Sequence, residues 1–123
     1  MFRYNSYHKI ILGGFIVLWA IFHFYSRQPE NNYSNGQNKR IGNIENGKNE
    51  GMWTWYYPNG KKRIQGTFVE GKREGIWTTW NEAQIVVQVC EYHNDKLNGA
   101  LVTYSEQGEK MSTVKYVNDV RIN

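Results

Sequence analysis

Several features that would point to chemistry are missing from this sequence. Its one cysteine, Cys90, has no intramolecular disulfide partner, so no covalent cross-link is expected. The three histidines, His8, His23 and His93, do not have the spacing of metal ligands. No plausible serine, histidine and aspartate triad can be assembled from the chain. The sequence therefore predicts a protein that is not an enzyme and that has no metal site and no cofactor.

Long runs of one charge are also absent. The formal net charge of +4 comes from dispersed residues, and acidic residues alternate with basic ones in ENGKNE and VEGKRE. This mixture argues against a nucleic-acid partner. The segment GKREG resembles part of a phosphate-binding loop, but it lacks the upstream glycine, the Ser or Thr after the lysine, and the following helix. No small-molecule substrate is predicted.

One apolar run stands out near the N-terminus. Residues 10–25 contain no Lys, Arg, Asp or Glu, and as a helix these sixteen residues would reach about 24 Å. The hydrocarbon core of a bilayer is roughly 30 Å thick, and Lys9 and Arg27 could make up the shortfall by snorkelling. We therefore predict a single-pass transmembrane anchor at 10–25, preceded by a short basic N-terminus at 1–9.

Two other kinds of segment share some features of this apolar run. A cleaved signal peptide would share the basic start and the short apolar core, but the bulky sequence FHFYSR follows where small residues would mark a cleavage site. A buried core helix would need a helical partner, which the rest of the chain does not offer. Positive residues are nearly balanced on the two sides of the run. Because a short basic N-terminus is easily left in the cytoplasm, we expect the N-terminus inside and the C-terminal domain exported.

The rest of the chain repeats itself. After a polar linker at 26–32, residues 33–53 align without a gap on residues 57–77, at a constant offset of 24, and a more divergent third copy follows. A fixed period without insertions indicates a repeat architecture. Within one period, GMWTWYY and KRIQGTFV have the composition of strands, whereas PNG and EGKREG have that of turns. Residues 33–123 are therefore predicted to be all-β, an antiparallel meander of stacked hairpins.

The motif G-K-x-x-G-x-W, with N-G in the other turn of each period, resembles the MORN repeat. It is more similar still to the bacterial MORN-variant repeats of the YwqK-type antitoxin family. This resemblance covers residues 33–123 and implies a MORN-like β-repeat fold and a role as an antitoxin or immunity protein that binds a toxin. The third copy departs from the pattern at Asp95, Leu101 and Val114, so we expect its part of the sheet to be less regular.

Residue types that recur in every copy are predicted to maintain the fold that all copies share. The recurring glycines are expected to take turn conformations, and the recurring apolar residues are expected to form the core, together with Ile44 and Leu101. The predicted structural positions are Gly51, Gly75, Gly99, Trp53, Trp77, Phe68, Tyr92 and Tyr116.

Residues that do not recur are better candidates for a partner surface. Alternation along the strand places Trp53, Trp55 and Tyr57 on one face. At the positions of Trp55 and Tyr57 the later copies have threonine, asparagine or serine. These two aromatics are either an anchor for a partner or additional core packing. The full set of candidate binding residues is Trp55, Tyr57, Trp80, Lys61, Lys62, Arg63, Lys72 and Arg73.

Two functions follow from these patterns. The first is a membrane-anchored module that binds another protein, which the resemblance implies is a toxin. The alternative is an envelope-associated scaffold that contacts lipid headgroups or cell-wall glycans. The basic groups at 61–63 and 72–73 fall at opposite ends of a hairpin, roughly 20 Å apart, so they are not expected to form one patch. They could touch acidic partners or headgroups, or they could simply be solvated turns.

Overall fold

A computed structural model describes the backbone of residues 6–26 and 31–122, and the side chains of residues 13–23 and 31–122. Parts of the predicted basic N-terminus (1–9) and of the predicted linker (26–32) lie outside these residues, as does Arg27. The chain divides into two compact units, Met1–Glu30 and Asn31–Asn123.

The first unit contains one α-helix, α1, which spans Ser6–Ser26 and includes the whole apolar run at 10–25. Among the described residues, no helix is long and apolar enough to cross a membrane. The side chains of this helix are described only at 13–23, so the transmembrane anchor at 10–25 stays a prediction.

The second unit is a single antiparallel sheet in which 8 strands lie side by side in chain order. Each strand pairs with the next one along the chain, so the predicted all-β meander of hairpins is confirmed. The strands are β1 Arg40–Glu45, β2 Lys48–Tyr56, β3 Lys62–Val69, β4 Lys72–Trp80, β5 Val86–His93, β6 Lys96–Tyr104, β7 Lys110–Val117 and β8 Val120–Ile122.

Two kinds of turn alternate along the sheet. The short turns have two central residues with left-handed backbone, as at Glu70 (φ 49°) and Gly71 (φ 80°), which is the geometry of a type I′ hairpin. The longer turns close with a bond from the Tyr57 amide to the Lys61 carbonyl at 2.8 Å. Because the short turn ends at Gly71, Lys72 and the residue after it belong to β4, and the prediction that they lie in a turn is wrong.

The recurring glycines also lie in strands rather than in turns. Gly51 and Gly75 have φ of 73° within β2 and β4, and Gly99 has φ of 138° within β6. The register shifts opposite these positions, as between Ile41 and Asn43 of β1. Each glycine therefore allows a bulge that bends the strand, a backbone conformation in which a side chain would be strained.

The core of the sheet is made by tryptophan rings that lie on glycines of the preceding strand. Trp53 and Trp77 are only 5% and 8% exposed. A Cβ atom added to Gly42 would overlap the indole of Trp53, and one added to Gly66 would overlap that of Trp77. The indole N–H of Trp53 also donates to the Asn43 carbonyl at 3.0 Å, whereas that of Trp77 is buried and has no hydrogen-bond partner among the described residues.

The third repeat keeps the strand lengths of the second but differs locally, because its bulge between Cys90 and Tyr92 falls one residue later than the equivalent bulge between Gln65 and Thr67. Its strands β5, β6 and β7 have 8, 9 and 8 residues, the same lengths as β3 and β4 of the second repeat. Cys90 takes the position of the glycine, is 3% exposed, and pairs with Leu101. Cys90 is larger than the glycine of the other repeats, and Leu101 is smaller than their tryptophan. The two substitutions therefore compensate each other in volume. Val114 pairs with Leu101 from the other side.

The remaining predicted core positions are less deeply buried. Phe68, Tyr92 and Tyr116 are half-buried, because no second layer of structure within this unit covers the sheet. Ile44 is 61% exposed, and its assignment to the core is wrong because β1 is the first strand of the sheet and has a neighbour on one side only.

Neighbouring repeats are joined at their short turns by carboxylate groups. The Glu50 carboxylate accepts a hydrogen bond from the Glu70 amide at 2.7 Å, and the Glu74 carboxylate accepts one from the Asn94 amide at 2.9 Å. Each carboxylate therefore caps the turn of the next repeat. Sequence reasoning missed this role, although Glu50 and Glu74 recur directly before two of the bulge glycines.

We predict that Glu74 makes the sheet sensitive to acid. The amide of Asn94, and then the ring of His93, hydrogen-bond the ionised carboxylate and hold the pKa of Glu74 below its ordinary value. A lowered folded-state pKa stabilises the fold above the unfolded value of about 4.3, and this contribution is lost as pH falls through the folded value. Glu74→Gln should lower Tm at neutral pH and flatten its dependence on pH below about 5.

Circular dichroism melts between neutral and acidic pH measure this effect. Glu82→Gln is the matched control, because Glu82 lies in a turn and its side chain has no hydrogen-bond partner in the described part of the chain. An acid profile of Glu74→Gln that is parallel to the wild-type profile would contradict the capping role.

Candidate partner-binding surface

One face of the sheet carries five aromatic rings in mutual contact. We call them the aromatic ridge: Trp53, Trp55, Phe68, Trp77 and Tyr92. The ring centroids are 5.9 Å apart for Trp53 and Trp55, 5.8 Å apart for Trp55 and Trp77, and 5.0 Å apart for Phe68 and Trp77. Phe68 and Tyr92 meet Trp77 nearly edge-on, a favourable arrangement for aromatic pairs. The ridge therefore belongs to the first two repeats and to the start of the third.

Trp55 lies in the middle of this ridge. It pairs with Ile64 of β3, in the same row of side chains as Trp53, which is the face that alternation predicts. Its ring contacts Trp53 on one side and Trp77 on the other, and it remains half-buried. The packing alternative thus has a clear physical basis. Because part of the ring is exposed to solvent, Trp55 is also available to a partner, and this binding role stays a prediction.

Tyr57 occupies a different place from the one predicted. It follows the end of β2, and its hydroxyl donates to the Trp80 carbonyl of the next repeat at 2.8 Å. Tyr33, one period earlier, donates in the same way to the Tyr56 carbonyl at 2.8 Å. Tyr57 therefore recurs once and links repeats. The sequence comparison missed this because it considered only the later copies.

The predicted basic residues separate into two groups that lie at opposite ends of the strands. Lys61 lies in the turn before β3, and Lys62 and Arg63 begin the strand. The Lys62 ammonium is 5.8 Å from the centre of the Trp80 ring. Lys72 and Arg73 lie at the start of β4, at the other end of this hairpin. The structure therefore places Lys62 of the first group against Trp80 and keeps the second group apart from them.

Arg73 is already engaged within the domain. Its Nε is 2.6 Å from a carboxylate oxygen of Asp95, and its guanidinium lies 4.1 Å from the centre of the Tyr92 ring. Burial is the largest single effect and disfavours its charge, but the bond to Asp95 together with the attraction of nearby acidic groups outweighs burial and raises the pKa of Arg73. The same bond lowers the pKa of Asp95. These contacts leave Arg73 fewer free donors for a partner than the other basic residues have.

Cys90 and the metal-ligating residue types offer little for chemistry. Burial raises the pKa of the Cys90 thiol, which keeps it protonated and weakly nucleophilic at neutral pH. Within residues 6–26 and 31–122, no group of three or more His, Cys, Asp or Glu side chains is arranged to hold a metal ion.

We predict that Tyr57→Phe lowers stability, because it removes the hydrogen bond between repeats and leaves the Trp80 carbonyl without this donor. The free energy of unfolding should fall by about 1 kcal/mol, measured by urea denaturation with tryptophan fluorescence. Tyr33→Phe is the matched variant, since it removes the equivalent bond one repeat earlier, and it should behave similarly. Unchanged stability in both variants would mean that these bonds do not hold the repeats together.

No protein-family model, curated protein or solved structure matches this chain.

Proposed function

We propose that the repeat domain is a protein-binding module whose contact surface is centred on the aromatic ridge. The observation that carries this proposal is the position of Trp55. Later repeats have threonine at this position, and their strands have the same length and pairing, so the fold does not require an aromatic residue there. Trp55 nevertheless sits between two buried tryptophans and keeps part of its ring in solvent.

The physical setting of Trp55 suits an anchor. Its neighbours Trp53 and Trp77 restrict the ring before any partner arrives, so little rotamer entropy is left to lose on binding. Tryptophan is enriched among the residues that contribute most to protein interfaces, especially where surrounding groups exclude water. The half-buried Phe68 and Tyr92 would supply such surroundings on the same face.

The resemblance to MORN-variant antitoxins suggests what the partner is. A toxin neutralised by direct binding would need a contact surface and no catalysis. We therefore propose that the chain acts as an antitoxin or immunity protein. That the repeat domain is exported, with the N-terminus inside, stays a prediction.

The alternative function is an envelope-associated scaffold that contacts lipid headgroups or cell-wall glycans. It predicts capture by anionic vesicles or by polysaccharide rather than by a protein. The basic residues near Trp80 are the feature that favours it. Because the aromatic ridge lies on the face of the sheet and those basic residues lie at its edge, substitutions can test the two functions separately.

We predict that Trp55→Thr weakens partner capture while it leaves the fold intact. Threonine is the residue of the second and third repeats at this position, Thr79 and Thr103. Tagged full-length protein expressed in its own cells should co-purify with one protein, identified by mass spectrometry, whose separate expression is toxic. The affinity of Trp55→Thr for that purified protein should be weaker by about tenfold or more.

Met52→Thr is the matched control. Met52 is on the same strand but on the opposite face, and it is 61% exposed, so this variant should bind like the wild type. The proposal would be contradicted if no protein co-purifies, if Trp55→Thr binds as tightly as Met52→Thr, or if the captured protein is harmless when expressed alone.

A further inference from the structure

Five cations lie at one end of the first three strands, on the side of the sheet where the longer turns are. We call this set the cationic edge: Lys39, Arg40, Lys61, Lys62 and Arg63. The Tyr56 amide donates to the Lys39 carbonyl at 2.9 Å, and Tyr56 pairs with Lys62 across β2 and β3. Lys39 and Lys62 are therefore two strand spacings apart, about 10 Å.

The charges of the cationic edge are not neutralised within the domain. Among the described residues the ion pairs are Arg73–Asp95 and His93–Glu74, and both lie at the opposite edge. No carboxylate occurs between residues 31 and 44 or between residues 51 and 69. The contrast with Arg73, whose charge is balanced by Asp95, indicates that the cationic edge can accept an external anion.

Arg63 has an unsatisfied donor. The register shifts between Trp55 and Tyr56, which makes Arg63 the extra residue of a bulge that redirects its side chain. Its Nε is buried and has no hydrogen-bond partner in the described part of the chain. A buried donor without an acceptor is costly, and a carboxylate oxygen that reached it would remove this cost.

Two aromatic rings hold neighbouring cations in place. The Lys62 ammonium is 5.8 Å from the centre of the Trp80 ring, and the Lys39 ammonium is 5.6 Å from that of Tyr33. Such contacts stabilise a cation by roughly 0.5 to 1 kcal/mol at exposed sites and restrict long side chains before a ligand binds.

Positive charge is concentrated in this part of the edge. The equivalent later turns carry Glu82, Glu106 and Glu109, and Lys110 is their one cation. At the bulge position of Arg63, the third repeat has Val87. Because the fold is the same in these repeats, the cations are not needed for the turns, and a ligand would meet an acidic surface further along the edge.

We propose that the cationic edge binds an acidic, extended segment of a partner protein. Successive side chains on one side of an extended chain are about 7 Å apart, so carboxylates two or three residues apart match the separation of Lys39 and Lys62. A flat membrane surface would meet the exposed turn at Lys61, whereas an extended segment can follow the row of cations across the first three strands. The inference rests on the proposed protein-binding function and specifies the chemistry of the partner.

The test uses purified full-length protein and a fluorescein-labelled peptide of ten residues that alternates Glu and Ser, with a Gln and Ser peptide as its control. Fluorescence anisotropy should detect binding of the Glu peptide only, and the affinity should fall as salt rises. Lys61→Gln, Lys62→Gln and Arg63→Gln combined should weaken binding by about tenfold or more. Arg63→Lys keeps the charge but removes the Nε donor, and it should still weaken binding measurably.

The matched control combines Lys48→Gln, Lys96→Gln and Lys115→Gln, three exposed lysines away from the cationic edge. It removes the same charge and should bind almost like the wild type. Equal weakening in both triple variants would overturn the proposal, because net charge alone would explain binding. Unchanged melting temperatures in all variants establish that they are folded.

Two other results would also overturn it. In the first, the Glu peptide does not bind, but the protein binds phosphatidylcholine vesicles more tightly when they contain phosphatidylglycerol. The triple variant at residues 61–63 would then lose this gain in vesicle affinity. In the second, sedimentation shows self-association that only the edge variant abolishes. Because the peptide is supplied, a failure to capture a partner through Trp55 does not affect this test.

Discussion

The packing of an indole ring against a glycine of the preceding strand is the constraint on which the rest of this sheet depends. Trp53 lies on Gly42 and Trp77 lies on Gly66. The sheet has no second layer within its unit, so its apolar side chains must cover one another by lying flat along the face. Only a strand position without a Cβ atom leaves room for a ring in this orientation. Burial of large rings then supplies most of the hydrophobic stabilisation available to so thin a fold.

This constraint also explains where the candidate surface lies. Two successive tryptophans on glycines create a gap between them that Trp55 and Phe68 fill. In the third repeat Cys90 and Leu101 replace the glycine and the tryptophan, so the same position is filled without an aromatic ring. The aromatic ridge is therefore concentrated toward the first two repeats. The cationic edge is formed by the same repeats, so both candidate contact regions belong to one end of the meander.

The period of 24 residues predicts much of this fold, because it fixes which segments are equivalent and the alternation within each one fixes the faces. The predicted strand KRIQGTFV coincides with β3, and the row of Trp53 and Trp55 follows from alternation alone. Contacts between repeats are harder to predict, because they depend on strand order and on the exact turn. The bond from Tyr57 to Trp80 and the cap that Glu74 provides were missed for this reason.

The membrane span stays a prediction. It relies on flanking residues such as Lys9 to lengthen an apolar run that is short by itself, and a sequence window does not determine whether such residues contribute. The departures of the third copy shift its bulge but leave the lengths of its strands unchanged. Cys90 and Leu101 compensate each other across a strand pair, and only the register shows that they meet.

A double-mutant cycle at Gly66 and Trp77 tests the account most directly. Gly66→Cys and Trp77→Leu together copy the pair of the third repeat, and the free energy of unfolding of the wild type, both single variants and the double variant can be measured by urea denaturation. The account predicts that each single variant is strongly destabilised. The loss of unfolding free energy in the double variant should be smaller than the sum of the two single losses by about 1 to 3 kcal/mol. Additive effects would contradict the claim that the ring and the glycine form one packing unit.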